Sequence, residues 1–402
     1  MSSPGTSRKR QRDTSLSEST EDYEELPTKL ISSATSAWKI QDLDQNSIFF
    51  AGDCLTVESL INLLKKRRSV PDVVPNIVKT LIDFTKECLN FTIDEDTWQM
   101  CDITVRPEQE KGIEILKDTK KNVRLFANKI RCEQSEYLDE EPLNRELFER
   151  WYCKVVDFLD QAVQLLNLLI NEAFDDIENK KQTSPFHIKE ASFTYLFMKF
   201  TEICFLTPEI GEGDKTNLWI RNKKVGSLPD VRYWQQSSIP NRNVLMMLAE
   251  VKSTALKTSE DTVESEEFSS TEDISTTDST SPSYHKKPEK SPWIHSKIHP
   301  DVLAQFGHEM LAECHNSIFV PETLGIMCMK TKIIFYYLQL SNKHYRDLKG
   351  FEPGAVENMC SHIKYTQIFD IMKAEDRNQL LEVFFWLGCL QKRGLQSHYL
   401  VT

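Results

Sequence analysis

Residues 244–249, Val-Leu-Met-Met-Leu-Ala, are apolar without alternation, and the run ends in Glu250-Val251-Lys252. Successive side chains of a strand face opposite sides, so an unbroken apolar run of this kind needs cover on both faces. A central strand flanked by helices receives such cover. A chain that contains it is expected to be α/β, with the charged residues at the point where the strand leaves the core. Glu250 and Lys252, two apart, then share a face while Val251 points away.

The flanking sequence supplies the elements such a strand needs. Ile188–Phe205 reads as a helix. Strand-like Asn217–Val225, a turn at Gly226-Ser227 and strand-like Leu228–Tyr233 follow, before the apolar run itself. Beyond it, His299–Cys314 reads as a helix, Leu324–Met329 and Lys332–Leu340 as a hairpin around Lys330-Thr331, and Gln379–Leu390 as a closing helix. Upstream, from Thr56 to about Asn179, apolar residues recur at three and four, as in Val74, Ile77, Val78, Leu81 and Ile82. The longest such pattern follows Pro142, with Asn144 or Asp139 as its cap. The chain therefore divides into a Ser/Thr/Glu/Arg-rich tail at 1–29, read as disordered, a helical region at 30–180, and an α/β domain at 181–402.

Of the 402 residues 40% are hydrophobic, enough for one large or two ordinary domains. No apolar run approaches the ~18 to 20 residues that cross a bilayer, and the first residues lack the apolar stretch of a signal peptide, so membrane and secreted classes are not expected. Ten cysteines are scattered without a CxxC pair, which points to reduced, mostly buried thiols rather than a zinc ribbon or a disulfide framework. Arg8-Lys9-Arg10-Gln11-Arg12 is a short basic cluster of the type read in nuclear import, so a nuclear or cytoplasmic location is expected.

The formal net charge of -12 argues against a protein that coats nucleic acid through its overall field, because such binding relies on many cationic contacts. Contacts to phosphate would have to be local. Arg221, Lys223, Lys224, Arg232 and Arg242 are the candidates, with solvated strand and loop charges as the structural alternative. Lys65-Lys66-Arg67-Arg68, at the end of a helical pattern, serves equally well as C-terminal helix charge. Part of the acidity sits in residues 253–292, which hold nine carboxylates against four lysines among many Ser and Thr and read as a disordered insert.

Chemistry concentrates at Pro229-Asp230 and, nineteen intervening residues later, Glu250-Val251-Lys252. Carboxylates from two neighbouring strands can hold a hard divalent cation such as Mg2+, which prefers oxygen ligands and keeps several waters. Asp230 and Glu250 fit that role, and the Lys252 ammonium would orient a water or stabilise transition-state charge. That chemistry is phosphodiester hydrolysis. Read structurally, Asp230 is a turn carboxylate and Glu250/Lys252 a strand-end ion pair.

Leu228-Pro229-Asp230-Val231 followed by Leu248-Ala249-Glu250-Val251-Lys252 resembles the two signature strands of the PD-(D/E)xK phosphodiesterase superfamily, the restriction-endonuclease-like fold that includes RecB-type nucleases. The resemblance extends to the order of elements within about 186–341. It implies an αβββαβ core, Mg2+ or Mn2+ as cofactor, and DNA or RNA as substrate. It also implies a supporting role for Gln305, with Glu309 one turn on, and an extra acidic residue at Glu190 or Glu202. The competing class is a catalytically inactive module of the same fold that binds nucleic acid or protein. His308 and His315 with Glu309 lack an HExxH-type spacing and read as packed or exposed histidines. Gly211-Glu212-Gly213 reads as a turn, and Trp219, Tyr233 and Trp234 as core aromatics or base-stacking residues.

Beyond its reading as a disordered loop, the acidic insert would compete with nucleic acid for nearby cations, more strongly once phosphorylated. Deleting Ser259–Ser281 is accordingly expected to tighten DNA binding in a titration of the full chain against labelled oligonucleotide, and an unchanged affinity would dispose of that role.

Overall fold

A computed structural model of the chain describes residues 38–67, 74–98, 106–133, 138, 142–178, 186–211, 215–220, 223–235, 243–254, 256, 292–350 and 359–392. In chain order the elements are α1 (Ile40–Gln45), β1 (Ile48–Leu55), α2 (Val57–Arg67), α3 (Asn76–Cys88), α4 (Arg106–Glu133), α5 (Pro142–Glu178) and α6 (Phe186–Ile203). Then come β2 (Glu209–Ile210), β3 (Thr216–Ile220), β4 (Lys223–Ser227), β5 (Val231–Gln235), β6 (Val244–Lys252), α7 (Pro300–Glu313), β7 (Thr323–Met329) and β8 (Lys332–Gln339). The chain closes with α8 (Asn342–Leu348), β9 (Ser361–Thr366), β10 (Phe369–Asp370) and α9 (Ala374–Gln391).

The protein is mixed α/β around one eight-stranded mixed sheet in the order β1-β9-β8-β7-β6-β5-β2, with β10 beside β8. Strand β6 is buried over seven consecutive residues, as its sequence requires, and both α6 and α7 pack against it. It pairs antiparallel with β5 and parallel with β7, and α7 lies between β6 and β7 in the chain. Phe306 of α7 approaches β7 at Gly325, where an added Cβ would come within 2.7 Å of the phenyl ring.

Helices α3, α4 and α5 carry the three-and-four apolar pattern, and their buried residues run into one continuous cluster with β5–β8, α6 and α9. Inside this layer Trp151 donates its indole N–H to Thr85 Oγ1 at 2.7 Å. The buried Arg377 of α9 donates to the carbonyls of Ile371, Leu89 and Phe91, and its guanidinium lies 4.2 Å from the Phe91 ring centroid. That side chain joins the chain after α3 to the closing helix. Among the described residues, no helix is long and apolar enough to cross a membrane.

Several local expectations change. The stretch expected to be helical at 30–180 also supplies β1, which pairs in parallel with β9 from more than 300 residues away. Residues 217–225 do not form one strand with a turn at Gly226-Ser227. They belong to a separate hairpin, β3 with β4, which reverses between Ile220 and Lys223, and Gly226 and Ser227 complete its second strand. The reason is patterning: Leu218, Ile220 and Val225 are buried while Asn217, Trp219 and Lys224 are exposed, so the segment has one apolar face to lay down, and it lies on α7. Pro142 begins α5, where a fixed φ costs nothing, and Asn144 is buried within the helix rather than capping it; Asp139 lies outside the described residues. The nine described cysteines are unpaired thiols, and only Cys204, Cys314, Cys328 and Cys389 are buried.

Arg232 is not a surface cation. It is 3% exposed, and its Nε and Nη2 donate to Glu313 Oε1 at 3.1 and 2.7 Å. Nη2 also reaches the Ser227 carbonyl and Thr216 Oγ1, both at 3.4 Å, so one side chain ties β5, the base of the hairpin and the end of α7. Removing one partner of a buried pair strands the other charge. Arg232→Met is expected to lower the unfolding free energy by about 3 to 5 kcal/mol in urea titration, and a loss below ~0.5 kcal/mol would show that the pair does not hold these elements together.

Candidate active site

Asp230 sits in the bend just before β5, one residue beyond the Val231–Ala249 pair, which sets it across from Glu250. Its backbone is held by Gly211, whose N–H donates to the Asp230 carbonyl at 2.7 Å. A Cβ on Gly211 would fall 1.6 Å from the Pro229 carbonyl oxygen, so only glycine permits this approach. The Asp230 side chain accepts the Val251 N–H at 2.7 Å. Asp230 is thus bound to the very strand that carries Glu250 and Lys252.

Glu250 is 2% exposed, and its Oε1 accepts from Lys252 Nζ at 2.6 Å and from Gln305 Nε2 at 2.7 Å. The same Gln305 amide donates to Glu309 Oε1 at 3.0 Å, so one nitrogen bridges two carboxyls from different elements. Glu190 of α6 stands 3.6 Å from Lys252 Nζ. Asp230, Glu250, Lys252 and Gln305 therefore meet, with Glu190 of α6 beside Lys252. Glu202 does not join them; it pairs with Lys154 at 2.7 Å and Lys199 at 3.0 Å.

Three carboxyls with little solvent and one ammonium make an electrostatically unbalanced cluster. Burial, reinforced by the neighbouring Glu250, pushes Asp230 up to about 7. Burial and Glu309 push Glu250 up to about 8, against the opposing pull of Lys252, and burial first of all pushes Glu309 up to about 7. Burial alone would lower the Lys252 pKa, but Glu250, Glu190 and Asp230 outweigh it and hold the ammonium charged. Oε2 of Glu250 and Oε2 of Glu309 are buried and receive no N–H or hydroxyl donor, and the two carboxyls lie within hydrogen-bonding reach of each other, a contact that is favourable only while one of them holds a proton. Keeping both ionised there is costly. A small divalent cation would satisfy such oxygens and offset the negative excess, so the residues present fit one. Among the described residues no three His, Cys, Asp or Glu side chains form a metal-holding group.

The other candidates separate from this cluster. His308 is buried against Trp38, and its Nδ1–H donates to the Ala304 carbonyl at 2.6 Å. Tyr233 is buried and shares a hydrogen bond with Thr201, whereas Trp219 is 57% exposed and sits across from exposed Lys224 on the hairpin. Arg221, Arg242, Arg68, Arg8–Arg12, Glu212-Gly213 and most of the acidic insert lie outside the described residues. The sequence assigned Glu309 no role beyond its position one turn after Gln305. Its signal was the i, i+4 spacing, which stacks both on one helix face toward the end of β6. Comparison of the chain with models of known protein families, with curated protein sequences and with solved structures returned no significant match.

His308 also carries a stability consequence. Burial holds its pKa down at about 3, against 6.5 for an ordinary histidine. Between those values the unfolded chain takes up a proton that the folded protein refuses, so stability falls as pH drops through that window, by up to about 1.4 kcal/mol per pH unit. His308→Phe, which keeps a ring against Trp38, is expected to flatten the unfolding free energy between pH 6 and 4, in steps of ~1 unit. Equal slopes for the two proteins would contradict a buried neutral imidazole.

Proposed function

We propose that the chain is a metal-dependent nuclease of the PD-(D/E)xK type, hydrolysing phosphodiester bonds of DNA or RNA with Mg2+ or Mn2+. The observation that carries this reading is the meeting of Asp230, Glu250 and Lys252 at the open end of a fully buried strand, with Glu250 buried against a second carboxyl, Glu309. The order α6, β5, β6, α7, β7, with β6 and β7 parallel, is consistent with the restriction-endonuclease-like core that the sequence motifs suggest.

In this reading Asp230 and Glu250 hold the cation. When bound, a divalent cation supplies Lewis acidity toward a phosphate oxygen and makes a nearby water more acidic. Lys252, aligned by Glu250 and Glu190, orients the attacking water and stabilises the extra negative charge that builds on phosphorus. Gln305 fixes the Glu250 rotamer by its 2.7 Å hydrogen bond, and so acts through Glu250 rather than on the substrate. The exposed Trp219 and Lys224 supply a local surface for nucleic acid despite the net charge of -12, in place of Arg232.

Glu250→Ala and Lys252→Ala are expected to abolish Mg2+- or Mn2+-dependent cleavage of labelled oligonucleotides while far-UV circular dichroism stays unchanged. Saturating Mg2+ is expected to stabilise the wild-type protein by about 2.7 kcal/mol at 100 times its Kd, and this gain should vanish in Asp230→Asn. Cleavage by both alanine variants at the wild-type rate would overturn the assignment. Neither stabilisation nor cleavage in the wild-type protein would favour a module that binds without catalysis.

A further inference from the structure

Beside the acidic cluster lies a cavity of about 340 Å³. Glu190 and Asp230 stand at its acidic end, and its remaining wall includes Tyr195 of α6, Ile210 of β2, and Leu228 and Pro229 from the bend before β5. Tyr195, Ile210 and Leu228 are 46, 39 and 49% exposed. Nine large hydrophobic side chains are exposed among the described residues, and three of them line this one cavity. Scattered exposed apolar residues need no explanation, but their convergence beside a polar site marks a place for a ligand.

The lining also says what part of a ligand enters. No Lys, Arg or His is among the described residues that line the cavity, while two carboxyls are, so the cavity's own wall offers a phosphate no cation. A flat uncharged heterocycle suits it better: apolar faces against Tyr195 and Leu228, and ring-edge N–H groups toward the acids. Asp230 belongs both to this wall and to the cluster, so the cavity adjoins the group of Glu250 and Lys252.

We propose that this cavity takes one unpaired nucleobase of the substrate strand, which makes the protein a nuclease of single-stranded segments rather than of intact duplex. The proposal rests on the nuclease reading and adds the substrate class to it. In a duplex both faces of each base are covered by its neighbours and its edge is paired, so entry would require unstacking and unpairing, whereas a single strand offers the base freely.

The test compares kcat and KM of the full-length protein, with Mg2+, on single-stranded and duplex oligonucleotides of one sequence. Wild-type protein is expected to favour the single strand by at least about ten-fold in kcat/KM, and Tyr195→Ala to raise its KM by about ten-fold, the scale of one lost base–aromatic stack. Tyr195→Phe should retain the wild-type KM. With an abasic residue at the nucleotide flanking the cut, Tyr195→Ala should cause no further loss, because the partner of Tyr195 is already gone. Metal-dependent cleavage that prefers duplex, or that is indifferent to Tyr195→Ala, would overturn the base site and leave the nuclease standing. Absence of metal-dependent cleavage on every DNA and RNA substrate would overturn both.

Discussion

Strand β6 has no polar face until its last three residues, and that constraint organises everything around it. Seven buried positions in a row oblige the chain to bring strands to both edges and helices α6 and α7 against the strand. Once that packing is in place, the end of β6 is the first point at which a charge can stand. Glu250 stands there, still within the core, where an ammonium from its own strand and an amide from α7 answer its burial while Asp230, on the adjoining bend, repels it. An acid at this depth is expensive to keep for packing alone. Its place beside Glu309 and Asp230, three acids crowded around one ammonium, is the physical basis for proposing a chemical task for the cluster.

The polar contacts also divide the labour between stability and chemistry. Arg232 and Glu313 form a closed pair, buried and mutually satisfied, and the pair belongs to the architecture. The cluster at Glu250 is open, with more carboxyls than cations. Both involve the same two elements, β5 or its preceding bend and helix α7, so the fold locks one end of that interface and leaves the other end chemically incomplete.

Legibility in the sequence followed the locality of the signal. Helix α7, the β7–β8 hairpin, strand β6 and the shared face of Glu250 and Lys252 were readable because strand and helix periods dictate which side chains share a face, whereas Asp230 entered through the chemistry of paired carboxylates and Gln305 through the resemblance of the motifs. Strand β1 was not: it mixes buried and exposed positions, includes Gly52 and Asp53, and is a strand only because β9 arrives from far along the chain. Arg232 misled for a related reason. A lone arginine in a strand looks solvated until the acid that buries it, 81 residues later, is in position. The choice between Glu190 and Glu202 likewise turned on tertiary placement, since both lie on α6 and only one of them meets Lys252.

Helix α7 is fastened to the sheet twice, through Gln305 near its start and Glu313 at its end. The two fastenings lie about 12 Å apart along the helix axis, so α7 has little liberty to rock or slide against β5 and β6. The amide of Gln305 is therefore presented to Glu250 from a support that two separate points hold in place, and a change at either end of the helix is felt at the other.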